Sequence, residues 1–267
     1  MESARRRTVN RRTADGELVR IAVTLRGAGP LVVLIPSLGR GASDFDDLGS
    51  RLAAAGYLAA AIDPRGIGAS EGPMEGATLW DYADDVAAVV AALSPQTPAV
   101  LVGHAFGNRV VRATAARHPD AVSALVLLAS GGQVAPESDA RQALADVSDV
   151  SLPAAAHGTA VKTAFFAEGN DPDVWLGGWH PAVRAAQQAA IAATPGDWTG
   201  AGRVRFLVVQ ADGDVIAPPA NAEALKRAYP DRVEVVTLAN AGHAMLPEQP
   251  EAIAGIVTSF LVRLSAA

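Results

Sequence analysis

Short, continuously apolar runs alternate along this chain with longer stretches in which apolar and polar residues recur at helical spacing. The runs are Leu18–Leu25, Leu31–Ile35, Leu58–Ile62, Val100–Val102, Ala124–Ala129, Phe206–Val209 and Val233–Leu238. Several are apolar at every position rather than at alternate ones, the pattern of strands covered on both faces, as in a parallel sheet. The amphipathic stretches Asp44–Ala55, Thr78–Leu93, Asn108–Arg117, Ala220–Ala228 and Pro250–Leu264 predict helices between them. Thr78, three residues before Asp81, adds a helix-start signal. Strand and helix in alternation predict right-handed βαβ connections, hence an α/β protein with a mostly parallel sheet and helices on both faces. The first two runs, joined through Gly27-Ala28-Gly29-Pro30, are expected to pair as an antiparallel hairpin.

The rhythm breaks after Gly132. From Gln133 to Gly202 no strand pattern is visible, only alanine-rich helical stretches punctuated by Pro and Gly. This predicts a core made of 1–132 and 203–267, with a helical cap insertion over 133–202. Trp175, Trp179 and Trp198 fall in that insertion, with Phe165 and Phe166. Such aromatics either form the insertion's own core or line a substrate site, and Trp175 and Trp179 are the substrate-binding candidates.

Composition narrows the field. In 267 residues, 50% are hydrophobic and 19% charged, ample for a buried core. A net charge of −6 does not suit a protein that neutralises nucleic-acid phosphates. The absence of cysteine removes disulfides, thiolate nucleophiles and cysteine-ligated zinc. The apolar runs fall far short of the roughly 20 residues that a membrane-spanning helix needs. Arg5, Arg6 and Arg7 precede no long apolar segment, so no secretory leader is expected and the expected compartment is the cytoplasm. Nothing in the sequence fixes an oligomeric state.

Three segments carry chemistry. The run Val100–Val102 is followed by Gly103-His104-Ala105-Phe106-Gly107, with glycines two residues either side of Ala105, and then by a helix. Paired glycines there permit a tight, strained turn that lifts the central side chain above a sheet. The run Phe206–Val209 leads into a loop with two carboxylates, Asp212 and Asp214. A third loop holds Gly242-His243. Histidine takes and returns protons near neutrality, and a carboxylate can hold its tautomer and stabilise the imidazolium.

Strand–turn–helix, then acid, then histidine, resembles the α/β-hydrolase superfamily with its Gly-x-Ser-x-Gly nucleophile elbow, and the resemblance extends from about Leu18 to Leu264. It implies an α/β-hydrolase fold and places the nucleophile position at Ala105 and the base at His243. The acid falls at Asp214, just before Val215-Ile216-Ala217-Pro218. It also implies an oxyanion hole from the backbone N–H groups of Leu38 and Phe106. The segment Asp63-Pro64-Arg65-Gly66-Ile67-Gly68-Ala69-Ser70 resembles the family's architectural turn.

The chain departs from the pattern twice. Alanine replaces the nucleophilic serine at 105, and Pro36-Ser37 replaces the common His-Gly before the oxyanion donor. Ser37 is thereby a candidate to bind substrate, place a water or act as a nucleophile, or is a plain loop hydroxyl. Three explanations of Ala105 stand side by side. It is an engineered Ser→Ala in an esterase-like hydrolase, a natural alanine in an enzyme that works through a His–Asp dyad, or part of a non-catalytic binding protein. The second is the arrangement of cofactor-free lyases and oxygenases of the superfamily. In the enzyme readings the substrate is a small ester- or lactone-like carbonyl compound. No nucleotide, flavin or other cofactor is implied, and His104, His118, His157 and His180 have no metal-site spacing.

Overall fold

Residues 4–136, 138–149 and 151–266 are described by the computed structural model. In chain order the elements are β1 (Arg5–Arg12), β2 (Leu18–Arg26), β3 (Leu31–Ile35), α1 (Asp46–Ala54), β4 (Leu58–Ile62), α2 (Leu79–Leu93), β5 (Ala99–His104), α3 (Phe106–Arg117) and β6 (Val122–Leu128). There follow α4 (Ser138–Asp146), α5 (Ala154–Phe165), α6 (Pro181–Ala193), β7 (Arg205–Ala211), α7 (Ala220–Ala228), β8 (Val233–Leu238), α8 (Met245–Glu248) and α9 (Pro250–Ser265). The strands form one mostly parallel sheet in the order β1-β2-β4-β3-β5-β6-β7-β8. Every residue of β3 and of β5 is buried, which explains their unbroken apolar pattern.

The start of the chain folds differently from the expected hairpin. Strand β2 pairs antiparallel with β1, through the full register Arg5↔Leu25 to Arg12↔Leu18, and on its other side with β4. Strand β3 instead runs parallel between β4 and β5. Two causes are visible. The turn at Asp15-Gly16 closes β1 onto β2, with the Gly16 N–H donating to the Thr13 carbonyl at 3.0 Å. Strand β3, apolar throughout, needs a neighbour at each edge, and the Leu58 N–H donating to the Pro30 carbonyl at 3.0 Å starts it beside β4. The arginine-rich β1 is mostly exposed, so its pattern carries no burial signal.

Two compact units divide the chain, Met1–Val126 with Ala182–Phe206 and Leu127–Pro181 with Leu207–Ala267. In the first, Arg65 is 1% exposed and its guanidinium clamps Asp85 at 2.7 and 2.9 Å, while Arg11 Nε reaches the same carboxylate at 2.5 Å. Ser70 ties the neighbouring turn, donating to the Asp63 carbonyl at 2.7 Å and accepting the Ala22 N–H at 2.8 Å. At the start of α2 the Asp81 carboxylate accepts both the N–H and the hydroxyl of Thr78, the predicted cap. In the second unit, Ala143, Val147, Val161, Phe165, Phe166 and Trp175 pack into an apolar cluster that includes Ala244. Among the described residues the stretch 133–202 contains helices and turns and no strand. No helix among them is long and apolar enough to cross a membrane.

Candidate active site

In the first unit, β5 ends at His104 and α3 begins at Phe106, leaving Ala105 alone at the turn with φ 49° and ψ −102°. That positive φ is the strained geometry expected from the glycine bracket, and it costs a non-glycine residue on the order of 1–3 kcal/mol. Packing explains the two glycines. A Cβ on Gly103 would lie 2.4 Å from the Gly107 carbonyl carbon, and one on Gly107 only 2.1 Å from the Ile35 carbonyl oxygen. The elbow is therefore pressed against the end of β3, where Pro36, Ser37 and Leu38 follow. Phe106 is the first helical residue, so its N–H has no partner inside α3 and sits at the positive end of the helix dipole. Ser37 is buried at 9% exposure, and its carbonyl accepts the Arg40 N–H at 3.2 Å.

The same turn is held from a distant part of the sequence. Gln187 on α6 accepts the Gly39 N–H on Oε1 at 2.8 Å and is fully buried. The sequence gives no signal for this residue, because one glutamine on a helix face has no motif.

In the second unit, His243 Nδ1 faces Asp214, at 2.9 Å from Oδ2 and 3.1 Å from Oδ1. The Asp214 side chain is completely buried and that of His243 is 6% exposed. Asp214 is fixed by its own loop, since Oδ1 also accepts the N–H groups of Ile216 at 2.9 Å and Ala217 at 2.7 Å. Asp212, two residues earlier, is exposed, and its N–H serves the Leu238 carbonyl. With the Nδ1 proton directed at the carboxylate, Nε2 is the nitrogen that can act as base.

The histidine loop rests on a second carboxylate. Glu248 accepts the Gly242 N–H at 2.7 Å, the Ala167 N–H at 2.8 Å and the Asn170 side-chain amide at 2.8 Å. Burial pushes the Glu248 carboxyl up, against the pull of these three donors. Local spacing around Glu248 carries no sign that this residue ties two loops together.

Phe165 joins the imidazole to an aromatic cluster within this unit. Phe165 lies 5.7 Å from the His243 ring and stacks on Trp179 at 5.4 Å with an interplanar angle of 20°. The Ala244 N–H donates to the Phe165 carbonyl at 2.8 Å, fixing α5 to the histidine loop. Trp175 is 3% exposed and packs edge-on to Phe165, Phe166 and Trp179, so it belongs to the cluster's core. Trp179 is partly exposed and donates from Nε1 to the Trp175 carbonyl at 2.7 Å. Among the described residues no group of three or more His, Asp or Glu is placed to hold a metal ion.

Comparison with known proteins gives this geometry a family. The model of the Hydrolase_4 family, described as serine aminopeptidase, S33, matches residues 28–250. A 2-(acetamidomethylene)succinate hydrolase from Mesorhizobium japonicum is 33% identical over 120 residues, 45% of this chain and 42% of that protein. The chain thus spans well under two thirds of the length of the curated relatives it matches. The solved structure of E-2-(acetamidomethylene)succinate hydrolase is 25% identical with a TM-score of 0.73, covering 96% of this chain and 99% of that one. A malate-bound thermophilic esterase from Thermogutta terrifontis shares the fold at 23% identity and a TM-score of 0.78, covering 97% of this chain and 99% of that one. The order of elbow, acid and histidine, the mostly parallel sheet and the family match together place this chain in the Hydrolase_4 (serine aminopeptidase, S33) family of the α/β-hydrolases.

Proposed function

We propose that this protein hydrolyses a small ester- or lactone-like carbonyl substrate, with Asp214–His243 as its acid–base pair and no side-chain nucleophile at position 105. One observation carries the reading: a fully buried Asp214 holds His243 Nδ1 at 2.9 Å, which leaves Nε2 to do the proton transfer. Hydrolase and esterase relatives support the acyl class of substrate.

In this reading His243 Nε2 takes a proton from water as its oxygen bonds to the acyl carbon. The carbonyl electrons move onto oxygen, and the N–H groups of Leu38 and Phe106 donate to that oxyanion. When the tetrahedral intermediate collapses, the C–O bond to the leaving group breaks and the imidazolium returns its proton to the departing alkoxide. Ester and water become acid and alcohol, and the histidine ends as it began. Asp214 keeps its proton count throughout and stabilises the imidazolium. The helices of 133–202 act as the cap, with Trp179 and Phe165 as its apolar contacts to substrate.

A short panel of acyl esters and lactones, assayed on the protein and on Ala105→Ser and His243→Ala, tests this. The proposal expects turnover by the alanine form that His243→Ala abolishes and Ala105→Ser changes little. A gain of about 10⁶ in Ala105→Ser, the scale of triad knockouts, would instead identify a serine hydrolase whose nucleophile has been removed. Tight binding of a small ligand with no turnover by either form would overturn the enzyme reading.

A further inference from the structure

Helix α6 buries Val183, Arg184, Gln187 and Ala190 along one face. Gln187 stands out among them. It is fully buried, its Oε1 accepts the Gly39 N–H at 2.8 Å, and its Nε2 has no hydrogen-bond partner among the described residues. The orientation of the carboxamide is fixed by chemistry, because a flipped amide would set an N–H donor against the Gly39 N–H. A buried donor without an acceptor is costly to keep, so an isosteric apolar side chain would serve a purely packing role better. The spare donor is covalently next to the oxygen that holds Gly39, so it lies at the turn that carries Ser37 and Leu38.

We propose that Gln187 is a positioning residue for this turn and also a direct contact of the substrate. Its Oε1 sets the Leu38 N–H by anchoring Gly39, and its Nε2 donates to an acyl oxygen, either the ester carbonyl or the carboxylate of the product. This inference rests on the reading above in assigning the turn to the oxyanion, and it adds a specificity contact to it. A glutamine suits both tasks because it presents an acceptor and a donor from one rigid group.

The test uses the full ¹⁵N-labelled chain and needs no turnover. Gln187→Glu keeps an oxygen for Gly39 and removes the donor, whereas Gln187→Met removes both. The Gly39 amide resonance should stay in place in Gln187→Glu and move in Gln187→Met. Butyrate, a product-like acid, and uncharged butyramide are then titrated. Both should shift the Gln187 side-chain amide resonances in the unmutated protein. In Gln187→Glu both should bind about tenfold more weakly or worse. Butyramide separates loss of the donor from charge repulsion. Melting temperatures of the three proteins check that each is folded, and a third variant, Gln187→Leu, which also lacks the donor and the acceptor, replaces either variant that is not. Unmoved Gln187 amide resonances, or equal butyramide affinity in Gln187→Glu, would overturn the substrate contact. An unmoved Gly39 resonance in Gln187→Met would overturn the anchoring role. The functional reading fails separately, by lack of ester turnover while these resonances respond as described.

Discussion

Each compact unit contains a buried carboxylate bound to a basic side chain, and the two differ in the partner that binds it. In the first, Asp85 is gripped by Arg65 and Arg11, with further Arg65 donors on the Pro73 and Asp81 carbonyls. Burial pushes the Asp85 carboxyl up, against the pull of both guanidiniums. In the second, Asp214 receives two backbone N–H groups and a histidine. A guanidinium keeps its charge at every pH a protein survives, so the first cluster can only brace the fold. An imidazole held by a carboxylate is instead the acid–base pair that the proposed reaction uses. Burial and short distances are common to both, and the chemistry of the basic partner sets them apart.

The comparison can be broken first at Asp214. Asp214→Asn keeps the shape but stabilises the wrong tautomer, so kcat for the best ester of the panel should fall by about 10⁴. The unfolding free energy should change far less. Undiminished turnover would show that the second pair is scaffold too. Asp85→Ala is the mirror experiment. It leaves the buried Arg65 without its counter-charge, and a urea denaturation curve should register a loss of about 3–5 kcal/mol, with turnover per folded molecule unchanged.

Glu248→Gln sharpens the contrast. The amide offers one acceptor oxygen in place of two, so one of the N–H groups of Gly242 and Ala167 loses its partner, at about 1–3 kcal/mol. Its pH dependence has a definite sign. Because the folded protein holds the Glu248 carboxyl above the ordinary glutamate range, its favourable contribution is complete below that range and is lost as pH rises through the raised value. Melting temperatures of the two proteins, followed from about pH 4 to about pH 7, should therefore shift in favour of Glu248→Gln as pH increases. The smallest effect belongs to an exposed ion pair, Arg263 with Glu234 at 2.7 Å. Arg263→Ala should cost no more than about 1 kcal/mol in the same denaturation assay, and less in high salt.

Much of this molecule is readable from local pattern. Unbroken apolar runs identify buried strands because a strand covered on both faces has no polar side to show, as β3 and β5 illustrate. The glycine bracket around Ala105 was legible because a tight elbow excludes side chains at those positions. The resemblance to the α/β-hydrolases, whose acid precedes a segment like Val215-Ile216-Ala217-Pro218, singled out the carboxylate that meets His243.

The neighbours of each segment were decided only by the tertiary structure. Pattern predicts that Leu18–Leu25 is a strand, but the competition between β1, β3 and β4 for its edges is settled by which turns close and which strands need two covered sides. Asp85 looks like any helical acid until Arg11 and Arg65 arrive from 74 and 20 residues away. Gln187 reaches Gly39 across 148 residues, and Glu248 gathers N–H groups from two loops. Hydrophobic periodicity records only whether a position faces water or protein. A polar contact between distant segments depends on which backbone donors and acceptors the completed fold leaves unpaired, and that is a property of the assembled chain.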